Sequence, residues 1–368
     1  MKNIRIYIVC LLFGAMPILI SCELDGTEIP EHGFDYDQPW SQGINDQTLL
    51  AMNDAVIEGE YGNIRSMIIL KNGKIVFENY YDGYSRKDKQ KLGSATKSIS
   101  SLLLGIAMEQ KEESSVEDKI IDLLPDFKSY FEDIPQKDQI SLRNILTNSS
   151  GIWWTEQIFQ DTNPESNLQI MESSNNWIEY VLSRPMIREP GLAFNYNSGN
   201  SIILSPIIEH YAAANLTDFA NEKLFQPLGI SDWDWEQVPE NTTNTASGLS
   251  LRPIDLAKIG QLMLDSGKWE QQSLVNDRWK RQSTQARYTL GSFTYGYQWW
   301  GISRFNPISY LVNRNDIYFA WGEGGQFLFV IPHMKIVFVT TAGNYNDDIE
   351  LEIFNLFREY IIRSSPSY

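Results

Sequence analysis

The stretch 92–98 reads Leu-Gly-Ser-Ala-Thr-Lys-Ser, and the interpretation of the whole chain starts from it. The apolar residues that follow it recur on one side of a helical pattern as far as residue 109, so the stretch predicts a helix start. Residues i and i+3 share a helix face, which lets the Lys97 amine reach the Ser94 hydroxyl. Burial near the positive end of a helix favours the neutral form of the amine, which can then accept the serine proton. Ser-x-x-Lys is expected about once by chance in a chain this long, so the motif needs support from elsewhere.

The composition excludes several other kinds of site. The 368 residues include three histidines and two cysteines, which leave little for a metal site or a disulfide framework, and we expect no metal and no cofactor. His32 lies in an acidic, irregular segment, His210 in an apolar helical stretch and His333 in a turn between predicted strands. A Ser-His-Asp arrangement is therefore not expected. A net charge of −17 without a basic cluster argues against a nucleic-acid partner.

The first residues predict export and a lipid anchor. Lys2 and Arg5 precede an apolar run over 6–20 that is shorter than the ~20 residues needed to span a bilayer. The run ends in Leu-Ile-Ser-Cys, which resembles the lipobox of bacterial lipoproteins and implies that Cys22 is lipidated after removal of residues 1–21. We therefore expect a bacterial cell-envelope protein held at the membrane by its lipid. Residues 22–43 are acidic and aperiodic, which predicts a tether.

The remaining pattern predicts an α+β domain over 44–368. Asn72-Gly73 joins two β-rich runs, 66–70 and 75–80, as in a hairpin, and strand character returns at 295–301, 317–321, 326–331 and 336–341. Because an isolated hairpin is barely stable, we expect it to join the late strands in one antiparallel sheet. Helices at 46–57, with Asp46 as the candidate N-cap, and at 347–362 would cover the faces of that sheet. The sheet part comprises about 44–93 and 290–368, the mostly helical insertion about 94–289, and a cleft lies between them.

Two further stretches could contribute to a site in that cleft. Residues 189–200 form a turn-rich loop that displays Tyr196, whose phenol could relay protons between Ser94 and a leaving group. Gly324-Gly325-Gln326 opens a late strand, and glycines at a strand edge mark close approach by a ligand or another chain. Each has an ordinary alternative when taken singly: a half-buried loop aromatic residue in the first case and a glycine bulge in the second.

Taken together, the three stretches resemble the serine β-lactamase and penicillin-binding-protein-like hydrolases, and most closely the class C-like branch with its carboxylesterases and 6-aminohexanoate-dimer hydrolases. The resemblance extends over about 66–357 and includes the stretches 92–98, 146–152, 191–200, 248–260, 295–300 and 324–326. It implies the β-lactamase-like fold.

The resemblance also implies the roles of individual residues. Ser94 would be the acylated nucleophile, Lys97 its base and Tyr196 the proton relay. The backbone N–H groups of Ser94 and of Gln326, which follows Gly325, would form the oxyanion hole. Ser198 would be the third polar side chain, on the tyrosine loop.

Two positions depart from the family pattern. Glu323 stands where β-lactamases carry a Lys or His before Gly-Gly, and a glutamate there would repel a substrate carboxylate. Asn148 replaces a frequent His, and we draw nothing from it.

The expected reaction is hydrolysis of a small ester, amide or short peptide through an acyl-enzyme. The alternatives are a D-Ala-D-Ala peptidase, a β-lactamase, or a penicillin-binding-like sensor that stays acylated.

Overall fold

The fold was analysed in a computed structural model that describes residues 33–364, except for 133, 158–161, 313 and 346–347. The predicted signal peptide, the predicted lipidation at Cys22 and His32 lie outside the described residues.

The strands, in chain order, are β1 (Ile64–Lys71), β2 (Lys74–Tyr80), β3 (Gln90–Lys91), β4 (Trp233–Trp235), β5 (Gln237–Val238), β6 (Thr242–Thr243), β7 (Leu249–Leu251), β8 (Lys268–Trp269), β9 (Gln272–Ser273), β10 (Tyr288–Leu290), β11 (Phe293–Tyr295), β12 (Trp300–Ile302), β13 (Tyr318–Gly322), β14 (Gln326–Ile331) and β15 (Ile336–Ala342). The α-helices are α1 (Asp46–Ile57), α2 (Thr96–Glu109), α3 (Ile120–Leu123), α4 (Ser129–Glu132), α5 (Leu142–Leu146), α6 (Asn167–Glu172), α7 (Trp177–Ser183), α8 (Ser198–Ala212), α9 (Leu216–Ala220), α10 (Pro253–Leu264), α11 (Asp277–Thr284), α12 (Pro307–Val312) and α13 (Glu352–Leu356). A π-helical turn over Phe357–Ile362 continues α13.

The main sheet joins the two ends of the described chain. Its strand order is β10-β11-β12-β13-β14-β15-β1-β2, and the neighbouring strands pair antiparallel. Asn72 and Gly73, with φ of 52° and 77°, form the turn between β1 and β2, as the type I′ geometry of such hairpins requires. β1 then pairs with β15, which places Met67 opposite Thr340. The predicted hairpin and its union with the late strands are confirmed.

Helices cover both faces of the sheet because side chains on its central strands alternate between two apolar cores. Met67, Ile69 and Phe338 share one core with α1 and α13, so the two terminal helices lie on the same face. Ile68 and Val339 share the other core with α10 and the helical part of the chain. This layering is the predicted α+β arrangement.

The structure differs from the sequence prediction in three local details. The predicted strand at 295–301 is divided into β11 and β12, because the backbone turns at Gln298, where φ is 63°. Asn45 caps α1 by accepting a hydrogen bond from the Thr48 N–H, and Asp46 lies one residue inside the helix. Phe34, in the predicted tether, is buried and packs edge-to-face against the ring of Trp269, a contact that the sequence analysis did not predict.

Candidate active site

The turn that carries Ser94 lies directly against the end of β13. Gly93–Ala95 form a 3-10 turn that leads into α2, and Gly93 has a φ of 53°, which glycine adopts without strain. A Cβ added at Gly322 would lie 1.9 Å from the Leu92 carbonyl oxygen, so no side chain fits between the two backbones. This close approach places Ser94 beside the turn between β13 and β14.

Lys97 lies one helical turn after Ser94 and contacts it directly. Its Nζ donates hydrogen bonds to Ser94 Oγ at 2.8 Å and to the Ala246 carbonyl oxygen at 3.1 Å. The lysine is 2% exposed, and this burial lowers the pKa of its ammonium to about 8. An amine with this pKa, hydrogen-bonded to a hydroxyl, can remove the hydroxyl proton near neutral pH.

The Ala246 carbonyl is a part of the site that the sequence analysis missed. Its segment is held between two helices, because Ser100 Oγ of α2 donates to the Thr245 carbonyl at 2.9 Å and Thr245 Oγ1 donates to the Ser201 carbonyl of α8 at 2.6 Å. Residues 248–260 were assigned to the family pattern, which was the available signal that this region belongs to the site. A single sequence does not show that a carbonyl 149 residues from Lys97 accepts its hydrogen bond.

Tyr196 approaches Lys97 from the loop that enters α8. The Lys97 Nζ lies 5.2 Å from the centroid of the Tyr196 ring, and the ring packs near Tyr295 and Trp300. Asn197 caps α8 by accepting a hydrogen bond from the Asn200 N–H, which fixes the residue after the tyrosine. The structure thus brings the predicted Ser94, Lys97 and Tyr196 together.

Asn148 holds the tyrosine loop in place. It is fully buried with a φ of 51°, and its carbonyl accepts a hydrogen bond from the Asn195 N–H at 2.7 Å. Its amide donates to Tyr295 Oη at 3.1 Å, and its side-chain oxygen accepts from Asn200 Nδ2 at 3.2 Å. The position therefore organises the residues on both sides of Tyr196, a role that the sequence alone did not reveal.

The turn between β13 and β14 presents the predicted glycine pair. Gly324 and Gly325 have φ of 82° and 92°, a region that side chains disfavour. Thr340 Oγ1 donates to the Gly325 carbonyl at 3.0 Å, and Gln326 Nε2 donates to the Ala342 carbonyl at 2.6 Å. These bonds to β15 fix the start of β14, so the role predicted for Gln326 depends on its backbone rather than on its side chain.

A glutamate that the sequence analysis did not consider contacts the loop of Tyr196. Glu156 Oε1 accepts a hydrogen bond from Ser198 Oγ at 2.5 Å, and its Oε2 accepts from the Ser198 N–H at 2.7 Å. Trp154 Nε1 also donates to Oε2 at 2.7 Å. The predicted Ser198 therefore lies at the site bound to a carboxylate 42 residues away, a pairing for which the sequence held no local signal.

Three glutamates act on the Lys97 ammonium. Glu156, Glu172 and Glu323 each act on the Lys97 ammonium and oppose the effect of its burial on the pKa. Glu323, the departure noted in the sequence, is the weakest of these three influences. The three carboxylates therefore favour the protonated form of Lys97.

Two other features of the described residues bear on the chemistry. They contain no group of His, Cys, Asp and Glu side chains arranged to hold a metal ion, and none of their helices is long and apolar enough to cross a membrane. His333 pairs with Asp316 at 2.8 Å, at the end of β14 opposite Gln326, and His210 lies in α8. Both histidines therefore lie away from the Ser94 turn.

This fold and the serine-lysine contact define a class of serine hydrolase. The chain belongs to the Beta-lactamase family, whose model matches residues 60–352. The resemblance noted in the sequence and the predicted fold are thereby confirmed, and the chain is a hydrolase of the ester and amide type.

Individual relatives are distant. A Salmonella agona (strain SL483) protein provisionally named D-alanyl-D-alanine carboxypeptidase is 21% identical over 344 residues, which cover 76% of this chain and 79% of that protein. A Bacillus anthracis structure provisionally named 6-aminohexanoate-dimer hydrolase has a TM-score of 0.70 and 16% identity, over 90% of this chain and 88% of that one. EstCE1, described as a hydrolase with promiscuous acyltransferase activity, has a TM-score of 0.68 and 15% identity, over 86% of this chain and 99% of that one. At these identities the two structures support the fold alone.

Proposed function

We propose that this protein hydrolyses a small ester or amide through an acyl-enzyme on Ser94, with Lys97 as the base and Tyr196 as the proton relay. The observation that carries the proposal is the buried Lys97 amine, 2.8 Å from Ser94 Oγ. With a pKa of about 8, a useful fraction of this amine is neutral at physiological pH.

Acylation uses that neutral amine. As Ser94 Oγ bonds to the substrate carbonyl carbon, Lys97 Nζ takes the hydroxyl proton. The negative oxygen of the tetrahedral intermediate faces the backbone N–H groups of Ser94 and Gln326, which stabilise it. The bond from carbon to the leaving atom then breaks. Tyr196 gives its proton to the leaving group and takes the proton of the Lys97 ammonium in exchange, so that Lys97 ends neutral and the alcohol or amine departs neutral.

Deacylation repeats the sequence with water as the nucleophile. A water molecule attacks the acyl carbon while Lys97 or Tyr196 takes one of its protons, and that proton returns to Ser94 Oγ as the ester bond breaks. The net reaction adds one water and yields an acid with an alcohol or an amine. A penicillin-binding-like sensor would complete acylation and omit this second half.

Anionic substrates fit this site less well than neutral ones. A D-Ala-D-Ala peptide or a β-lactam presents a carboxylate near the reacting carbonyl, where Glu156, Glu172 and Glu323 would repel it. The Salmonella relative carries the carboxypeptidase name, but the charge of this cleft favours the esterase or amidase reaction.

The test of the proposed function is covalent labelling followed by turnover. A fluorophosphonate probe should add one label, on the peptide that contains Ser94, and Ser94→Ala should remove it. Ser85→Ala, at an exposed serine, is the matched control and should label fully. Retention of the label in Ser94→Ala would refute the assignment. With p-nitrophenyl esters, continued release after the first equivalent distinguishes a hydrolase from a sensor that stays acylated.

We also propose that the protein acts in the bacterial cell envelope as a lipoprotein anchored through Cys22. The support is the charged start, the short apolar run and the Leu-Ile-Ser-Cys stretch that ends it. A diacylglyceryl group on the cysteine would give two acyl chains, enough for stable membrane attachment.

A further inference from the structure

One stretch of the family pattern, 295–300, contributes no residue to the proposed mechanism. Gln298 lies in this stretch, in the turn between β11 and β12, and its φ of 63° falls in the left-handed region that residues other than glycine disfavour. It is 1% exposed, so its polar amide is buried as well. Both features cost free energy, and backbone strain of this kind persists where the surrounding structure holds it, often at functional sites.

Gln298 closes the C-terminal end of α5. Its Nε2 donates hydrogen bonds to the carbonyl oxygens of Leu146 at 3.1 Å and Ile145 at 3.3 Å, and its backbone N–H also donates to Leu146 at 3.1 Å. The last carbonyls of a helix have no partner within it, so the glutamine satisfies two of them. Asn148, which holds the loop of Tyr196, follows two residues later. The first route from Gln298 therefore leads to the proposed proton relay.

The same residue is bound to the helix that carries Lys97. Ser98 directly follows Lys97 in α2 and is 1% exposed, and its Oγ donates a hydrogen bond to the Gln298 carbonyl oxygen at 2.7 Å. Because Lys97 and Ser98 belong to one turn of helix, a shift at this contact would move the proposed base. The second route from Gln298 therefore leads to Lys97.

A third contact connects Gln298 to α8. Ser201 Oγ donates a hydrogen bond to Gln298 Oε1 at 2.7 Å. The Ser201 carbonyl accepts from Thr245, and the residue after Thr245 is Ala246, whose carbonyl accepts the hydrogen bond of Lys97. This route therefore reaches Lys97 through one of its two hydrogen-bond acceptors.

We propose that Gln298 is a positioning residue for the reaction at Ser94, because it joins α2, α5 and α8 at one point and so fixes Lys97 and Tyr196 relative to the nucleophile. This proposal rests on the proposed hydrolysis at Ser94. The backbone N–H, the backbone carbonyl and both polar atoms of the glutamine side chain all bond to one of these three helices. Glutamine suits the role because its amide supplies donors and an acceptor together.

Loosening this junction should change the environment of Lys97. Burial lowers the pKa of its ammonium to about 8, and a loosened site that admits water should raise that pKa toward 10.5. Glu156, Glu172 and Glu323 also act on the ammonium, and substitutions at the junction leave them in place. The pH at which activity reaches half of its plateau therefore reports on the junction, whereas a loss of stability alone would not move it.

The experiment measures kcat/KM for p-nitrophenyl acetate from pH 6 to pH 10 in Ser98→Ala, Ser201→Ala and Gln298→Met, and the free energy of unfolding of each variant in denaturant. We expect each serine variant to lower kcat/KM roughly tenfold at pH 7 and Gln298→Met to lower it further, because small displacements of catalytic groups reduce rates strongly. The midpoint of the profile should move to higher pH in all three. Ser114→Ala is the matched control, because Ser114 Oγ, beyond the other end of α2, donates to the Met108 carbonyl at the same 2.7 Å. It should keep the wild-type rate and midpoint.

A wild-type rate and midpoint in both serine variants would overturn the inference, even if their free energy of unfolding falls, because that pattern is typical of a purely structural residue. These two variants decide the question if Gln298→Met does not fold. Failure of the proposed function has a different signature, since hydrolysis of p-nitrophenyl acetate would then persist in Ser94→Ala.

Discussion

The pKa of Lys97 makes a quantitative prediction about how activity depends on pH. The base must be neutral to accept the Ser94 proton, and burial lowers the pKa of its ammonium from 10.5 to about 8. At pH 7 roughly a tenth of the amine is then neutral, against roughly 0.03% for an ordinary lysine, by the titration equilibrium. Between pH 7 and pH 9 the neutral fraction rises about tenfold, and the reaction should follow it.

The measurement is kcat/KM for a neutral ester, p-nitrophenyl acetate, from pH 6 to pH 10. The rate is followed at the isosbestic wavelength of nitrophenol, and the rate with Ser94→Ala is subtracted. We expect kcat/KM to rise about tenfold per pH unit below pH 7 and to reach a plateau above pH 9. Lys97→Arg is the matched control, because arginine retains its proton throughout this range, and it should give a low rate without the rise. A flat profile in the wild type, or a midpoint at pH 10 or above, would refute the argument.

The same profile reports on the carboxylates. Glu156 favours the charged form of Lys97, so Glu156→Gln should lower the pKa of the lysine and move the midpoint to lower pH. Glu172→Gln should move it in the same direction by less, since its influence on the lysine is smaller. A midpoint that stays in place or moves to higher pH in Glu156→Gln would contradict this electrostatic account.

The remaining predictions concern the proton relay, the backbone contact and the anchor. Lys97→Ala and Tyr196→Phe should each lower kcat by ~10²-fold or more, and the double variant should lose little beyond the worse single one, because the two act in one proton-transfer chain; fully additive losses would separate their roles. Gly322→Ala should lower both kcat/KM and the free energy of unfolding, the latter by ~1–3 kcal/mol, because its Cβ would meet the Leu92 carbonyl; denaturant unfolding and ester kinetics check this, and unchanged values would show that the backbones separate freely. Cys22→Ala should abolish incorporation of radiolabelled palmitate and release the protein from membranes, whereas a wild-type protein that takes up no lipid would refute the lipoprotein proposal.

Features encoded by neighbouring residues could be predicted from the sequence. The turn at Asn72-Gly73 depends on two adjacent residues, and the predicted contact between Ser94 and Lys97 depends on one turn of helix. The turn and the Ser94–Lys97 contact both follow from short-range geometry that any chain with the same local sequence would share.

Contacts between distant segments could not be predicted in this way. Glu156 meets Ser198 across 42 residues, and the Ala246 carbonyl meets Lys97 across 149, and no local pattern encodes either approach. The packing of Phe34 against Trp269 was missed for the same reason, because nothing local in the aperiodic segment 22–43 indicates it. The charge of the site was therefore only partly predicted: Glu323 was identified from its place in a motif, whereas the stronger influence, Glu156, depended on the tertiary fold.

The pairing of β1 with β15 also determines when the protein can become active during its synthesis. Ser94, Lys97 and Tyr196 are all made before β14, yet Gln326 is held in place through bonds to β15, which pairs with a strand made more than two hundred residues earlier. A chain that stops before Ile336 contains Ser94 and Lys97 but lacks the strand that joins both ends of the sheet. Such long-range pairing folds slowly, because a large loop must close before its contacts form. The complete arrangement around Ser94 therefore requires β15, and a product that stops before Ile336 would lack the strand that holds Gln326.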